Sequence, residues 1–308
     1  MMIANVSAAV ALLTGAVTAP AQAPQTQLPV DWSFAVGWLS GVNTPGTAPP
    51  GANTGCQVDA AHPYPVILVN GTFANQDDNW QAAAPLLANH GYCVYTFNYG
   101  GSGDFTATGD IATSAGQLAT FVTKVRAESG AEQVDLVGHS QGGMMPRYYL
   151  KFDGGAPYVH TLVGLAPSNH GTTLDGIDTL TETLGELGLG GQGTGNCTAC
   201  TEQNAGSAFL TNLNAGGDTV PGPSYTVIET RDDEVVTPYT SAFLTGPDVT
   251  DITVQNQCRL DKSDHLELAY DPVALADVLN ALDPANPVPV PCLPVLPLTG
   301  PTTPVPPF

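Results

Sequence analysis

Apolar positions along this chain fall into two alternating patterns. Short, mostly apolar runs at Pro65–Val69, Tyr92–Phe97, Val134–Val137, Val159–Leu165, Tyr225–Glu229 and Ile252–Gln255 have the length and β-branched content of buried strands. Between several of them lie longer stretches with apolar residues three and four apart, which predict helices over Asp78–Asn89, Ile111–Glu128, Gly143–Phe152 and Pro272–Leu282. In the second of these, Leu118, Phe121, Val122 and Val125 share a helical face. Strands separated by helices imply a parallel sheet covered on both faces, so the expected class is α/β.

Three segments break the rhythm. Residues 24–60 form a Pro- and Gly-rich lead-in. Residues 171–217 hold eleven glycines interleaved with Leu174, Leu180, Leu184, Leu187 and Leu189. That is too long for an ordinary loop, and it suggests a lid-like apolar cover inserted into the domain. Residues 284–308 hold ten of the 27 prolines and predict an extended tail with no core of its own. The main domain is accordingly placed at residues 61–283.

The N-terminal 23 residues carry no charge, and an apolar run from Ala8 to Val17 is followed by Ala21-Gln22-Ala23. This fits a signal peptide cut after Ala23, although the usual basic n-region is missing. The expected location is extracellular. No later run approaches the ~18 apolar residues of a membrane span. Over the 308 residues, 7 Lys plus Arg stand against 28 Asp plus Glu, a formal net charge of −21. A duplex-binding protein needs bases to neutralise phosphates, so nucleic-acid partners are excluded. With 43% hydrophobic residues the chain can bury a real core, which excludes disorder. The scarce bases are unevenly placed. Arg147, Lys151, Arg231, Arg259 and Lys262 lie near the candidate catalytic residues identified below, which suggests that they brace the catalytic loops. The six cysteines, Cys56, Cys93, Cys197, Cys200, Cys258 and Cys292, are an even number in an apparently exported chain, and disulfides follow. Cys197-x-x-Cys200 has neither a preceding strand nor a second such pair, which argues against redox and zinc roles.

The sharpest chemical signal is Gly138-His139-Ser140-Gln141-Gly142, a G-x-S-x-G sequence between an apolar strand and a helix. There a serine sits on a strained turn, its hydroxyl raised above the sheet as a nucleophile. A hydroxyl needs a base, and the chain order in such sheets is serine, acid, histidine. Downstream of Ser140, His160 falls inside a strand and His170 precedes the insertion. His265 lies in a loop between the last strand and last helix and is the expected base. Asp232 and Asp233, after the Tyr225–Glu229 strand, are near-equal candidates for the acid, with Glu234 behind and Asp264 weaker. The oxyanion of an acyl-transfer intermediate needs N–H donors. Gln141 offers one and Thr72, in Asn70-Gly71-Thr72-Phe73, the other. Asn70-Gly71-Thr72 also spells a glycosylation sequon, an improbable use directly after a buried strand.

Taken together, His62-Pro63 to Thr72, Gly138–Gly142, Ala166-Pro167-Ser168-Asn169-His170-Gly171-Thr172, the Thr230–Tyr239 stretch and Asp264-His265 resemble secreted bacterial class 2 lipases of the α/β-hydrolase superfamily, best known from actinobacteria. The resemblance runs from about Ala60 to Leu282. It implies an α/β-hydrolase fold, with the insertion following the sixth-strand region, and a triad of Ser140, Asp233 and His265. It also implies disulfides Cys56–Cys93, Cys197–Cys200 and Cys258–Cys292. Asn70 departs from it, standing where lipases often have histidine. The activity implied is carboxylic ester hydrolysis, most directly of triacylglycerols, by a monomer at a lipid–water interface with neither metal nor organic cofactor. A short-chain esterase, a polyester depolymerase and an acyltransferase use the same residues, and a non-catalytic secreted binding protein is the alternative outside enzymes.

Overall fold

The structure, a computed structural model, describes residues 27–101, 105–186 and 197–308. The expected signal segment and the Gly190–Gly195 run lie outside them. Among the described residues, β1 (Val66–Val69), β2 (Val94–Thr96), β3 (Val134–His139), β4 (Val159–Leu165), β5 (Ser224–Glu229) and β6 (Val249–Thr253) form one sheet in the order β2-β1-β3-β4-β5-β6. Every neighbouring pair is parallel. All residues of β1 and β3 are buried, so side chains on both faces of the sheet centre are covered.

The covering helices form for local reasons. In α3 (Ile111–Ser129) the Asp110 carboxylate accepts the Thr113 N–H at 2.7 Å, and Gly130 ends the helix with φ 76°. Ile111, Leu118, Val122 and Val125 make its buried face. Near the other end of the chain α9 (Pro272–Leu282) starts with proline at its first position, where the missing N–H costs nothing, and Asp271 caps Val273. Helix α4 (Gln141–Phe152) begins directly after Ser140, two residues before the sequence pattern suggests.

Several expectations need correction. The helix expected from Asp78 starts at Ala83 as α2 (Ala83–Asn89). Upstream, the Asn75 side chain accepts from the N–H groups of Asp77 and Asp78 while Asp78 accepts from Asn75, and these side-chain bonds hold a turn in place of helix. The strand expected at Ile252–Gln255 is β6, shifted upstream, and the chain turns at Val254 into the short helix α8 (Val254–Gln257). There Gln255 leaves the strand path so that its amide serves Thr230 and Arg231. The lead-in contains a helix the pattern did not announce, α1 (Phe34–Gly41). The tail forms a small hairpin, β7 (Val295–Leu296) with β8 (Gly300–Pro301), and buries Leu293 and Val295 in place of running free of the body. The insertion contributes α5 (Leu174–Glu186), α6 (Thr198–Glu202) and α7 (Ala208–Asn214). Disulfides join Cys56 to Cys93, Cys197 to Cys200 and Cys258 to Cys292. Among the described residues no helix is long and apolar enough to cross a membrane.

The sheet order places a topological switch at β1. The chain goes from β1 to one side for β2 and then to the other for β3, and the connections diverge at the carboxyl ends of β1 and β3. Open α/β sheets hold ligands in that crevice.

Candidate active site

Ser140 stands at the crevice, between β3 and α4, with φ 55° and ψ −123°. A non-glycine residue pays for that conformation, so the turn survives only because its surroundings force it. The flanking glycines explain how. A Cβ on Gly138 would strike the Gly142 carbonyl, and one on Gly142 would strike the Val69 carbonyl at the end of β1. The elbow therefore packs backbone against backbone at three places in the sequence.

His265 arrives on the loop between α8 and α9. Its Nδ1 lies 2.9 Å from Asp233 Oδ2, and both side chains are buried. The other Asp233 oxygen accepts the N–H groups of Val235 and Val236 at 2.8 and 2.7 Å, so the carboxylate is aimed from behind by backbone. Asp232, its rival in the sequence, pairs with Lys262 at the surface, 3.3 Å away. Asp264 is turned to cap Glu267 N–H at 2.7 Å. Glu234 accepts the backbone N–H of His265 at 3.3 Å. Burial works against a charged His265 ring, but Asp233, Glu234 and Asp264 outweigh it and hold its pKa above the ordinary 6.5. Burial, with Asp264 next, raises Glu234 to about 7. The Nε2 of His265 has no protein partner among the described residues and lines the same small cavity as Ser140.

His139, the variable position of the motif, is buried and held neutral with a pKa near 3, chiefly by burial and then by the His265 ring. Its Nε2 is 2.9 Å from the His265 carbonyl oxygen, which can only accept, so that nitrogen donates and ties the elbow to the loop carrying His265.

The loop after β1, which carries Thr72, is held by side chains. Gly71 N–H donates to Asn79 Oδ1 at 2.8 Å, and Asn70 Nδ2 donates to the Gly71 and Ala74 carbonyls. Asn70, where histidine was the pattern, thus staples the loop from within, and its burial removes it from any glycosylation. Thr72 Oγ1 donates to Gln141 Oε1 at 2.8 Å and receives Gln203 Nε2 at 2.9 Å. Gln141 is the first residue of α4, whose N–H has no partner inside the helix and faces the favourable end of its dipole. The structure thus brings Ser140, His265, Asp233, Thr72 and Gln141 to one end of the sheet.

Sequence reasoning missed Asn79, Gln203 and the aromatic pair Phe34 and Trp38. Gln203 lies 131 residues from Thr72 in a Gly-rich region, and no local pattern could have announced it. The space above Ser140 is nearly shut. Phe34 and Trp38 of α1, Leu180 and Leu184 of α5, and Leu266 leave a cavity of about 10 Å3, room for at most one water.

Arg147 and Lys151 of α4 reach outward to the insertion. Arg147 is buried, donates to Asp218 O, Asn169 O and Asn214 Oδ1, and is pulled down to about 10 by burial. Lys151 donates to the carbonyls of Leu213, Ala215 and Gly217, at the negative end of α7. Arg231 holds Asn256, while Arg259 stays exposed. His170 is bonded to the Ser241 carbonyl and Asp218, a structural post away from the cavity.

The sequence model of one family, Lipase (class 2), matches residues 63–276, more than two thirds of the chain. The chain belongs to the class 2 lipase family. It is 38% identical to a triacylglycerol lipase of Burkholderia plantarii over 39% of its length. It is 42% identical to a triacylglycerol lipase of Pseudarthrobacter phenanthrenivorans over 29% of its length. Those segments span 34% and 28% of the two relatives, about a third of each. The lipase B of Aspergillus fumigatus superposes with a TM-score of 0.58 at 20% identity, covering 79% of this chain and 56% of that one. A mature Bacillus licheniformis lipase gives 0.53 at 19% identity, covering 69% and 88%. The fold shared with them is that of the α/β-hydrolases.

Proposed function

We propose that this class 2 lipase is a secreted carboxylic ester hydrolase acting on triacylglycerols through Ser140, His265 and Asp233. The observation that carries the reading is the convergence of three separate loops: a serine on a strained elbow, a buried histidine with one free ring nitrogen, and a carboxylate aimed at the other. His265 Nε2 takes the proton of Ser140 Oγ as that oxygen attacks the ester carbonyl. The N–H groups of Thr72 and Gln141 receive the oxyanion. The imidazolium then gives its proton to the leaving alcohol, and a water activated by the same ring hydrolyses the acyl-enzyme. Asp233 stays ionised throughout and stabilises the imidazolium.

The lining of the cavity supports an apolar acyl chain, and its small volume means that something must withdraw before an ester enters. Helix α5 is the element to move. Helix α1 is locked by Glu267, which accepts Phe34 N–H at 2.9 Å, by Ala35 N–H to Leu298 O, and by Gly37 and Gly41 pressed on Tyr270 and on the Asp77–Asp78 backbone. The start of α5 is held too, Gly176 lying against the Val235 carbonyl, but its later turns meet the cavity through Leu180 and Leu184 while Asp178 and Glu182 are exposed. The test is release of fatty acid from emulsified triglyceride and of p-nitrophenol from soluble esters. Ser140→Ala is expected to lower both by at least ~10³-fold with the fold intact. Undiminished hydrolysis by that variant would overturn the reading.

A further inference from the structure

Glu229 is the last residue of β5 and is completely buried, yet the triad chemistry described above does not use it. Its Oε1 accepts the Thr230 N–H at 2.8 Å, and its Oε2 is a buried oxygen with no N–H or O–H donor among the described residues. The turn closed by Asp233 N–H to Thr230 O at 3.4 Å brings the Asp233 carboxyl back toward the end of β5, and the two carboxyls interact there. Two carboxylates in contact and away from water cannot both ionise, so one proton sits between them. The surroundings decide where it resides. Asp233 receives Val235 N–H, Val236 N–H and the His265 ring, whereas Glu229 receives Thr230 N–H. Three donors against one place the charge on Asp233 and the proton on Glu229.

We propose that Glu229 is a positioning residue for this reaction, its neutral carboxyl donating a hydrogen bond to Asp233 and holding that carboxylate toward His265. The proposal rests on the triad reading. It gives a physical reason for an acid at the buried end of β5, where an ionised side chain would be very costly. Burial and then Asp233 push the Glu229 pKa well above the usual carboxyl range. The groups facing the pair are Glu234 from the loop after β5, with His265 and Asp264 on the loop before α9. The bases of these loops are engaged elsewhere or at the surface, Lys262 with Asp232 and Arg231 with Asn256. As pH rises, Glu229 therefore loses its proton beside an existing negative charge. The donor disappears, the two carboxylates repel, and turnover falls.

The experiment measures kcat and KM for p-nitrophenyl butyrate from pH 5 to 10 with wild type, Glu229→Gln, Glu229→Leu and Ser140→Ala. Glutamine keeps a donor toward Asp233 and an acceptor for Thr230, but it cannot ionise. It is expected to keep kcat within about threefold of wild type at pH 7 and to remove the alkaline fall in kcat. Glu229→Leu is expected to lose about tenfold or more in kcat at nearly unchanged KM, the scale of one hydrogen bond to a charged group. A folded Glu229→Leu with wild-type kcat overturns the proposal. So does a Glu229→Gln variant with the wild-type alkaline limb, and that arm decides by itself if the leucine variant does not fold. Wild-type activity in Ser140→Ala overturns the triad reading, and the proposal falls with it.

Discussion

At His265, burial and the neighbouring carboxylates push the imidazole in opposite directions, and the carboxylates win. A general base must be neutral to accept a proton, so a raised pKa moves the acid limb of kcat/KM upward. We expect its midpoint above pH 6.5. Glu234 titrates near 7 and touches His265 through the backbone, and its ionised form supports the charged ring. Glu234→Gln removes that support, so the acid limb of the variant should shift to lower pH, read as kcat/KM on a soluble ester. An unchanged or raised midpoint would contradict this account of the site's electrostatics. At this scale Ser140 and His265 were legible because a tight elbow and a loop histidine leave local patterns. Spacing alone left Asp232 and Asp233 level, since both follow the same strand, and the family resemblance pointed to Asp233; in the fold Asp232 meets Lys262 and Asp233 meets His265. Asn79 and Gln203 left no trace, because a lone amide side chain acquires its role from what folding brings beside it.

Among the elements, β1 and β3 were legible because buried parallel strands read as near-continuous apolar runs, broken in β3 by Asp135. Helix α1 was not. It is eight residues long, holds two glycines and sits in a Pro- and Gly-rich stretch, and its stability comes from partners more than 200 residues away, Glu267 and Tyr270. The closed cavity makes α5 the element with the clearest consequence. Exposing Leu180 and Leu184 costs about 1.5–3 kcal/mol each, so the open form is a minor population in water. Replacing both with alanine makes opening easier. We expect kcat/KM for a short soluble ester to rise several-fold, while Phe34→Ala, in the locked helix, brings no such gain. A fall in the double variant with its fold intact would show that α5 shapes the bound state and does not gate it.

For the whole molecule, the shortage of bases leaves many buried carboxyls without a cation. Glu229, Glu267, Asp78 and Asp271 are raised well above their ordinary values by burial first, Glu234 to about 7 and Asp277 to about 6. In the folded protein these groups keep protons that the unfolded chain releases from about pH 4 upward. The folded state therefore binds more protons, and stability falls as pH rises from about 4.5 through 7 and beyond. His139, lowered to about 3, acts in the opposite direction below 6.5, but it is outnumbered. The thermal midpoint should drop by several degrees between pH 5 and pH 8, and a midpoint that climbs over that range would contradict the burial of these acids. The excess of acids was visible in the composition. Their burial was not, because counts of charge say nothing of where the charges lie. The tail shows the same limit. Its prolines predict extended chain, but Leu293 and Val295 find a place against the body beside Cys258–Cys292.

The expectations about turnover depend on Ser140 being the nucleophile. The most direct measurement is reaction with a p-nitrophenyl phosphonate ester followed by peptide mass mapping. The account predicts one stoichiometric adduct on Ser140, formed more slowly below the His265 pKa and absent from Ser140→Ala. An adduct on another residue, or none on folded protein with ester hydrolysis intact, would contradict it.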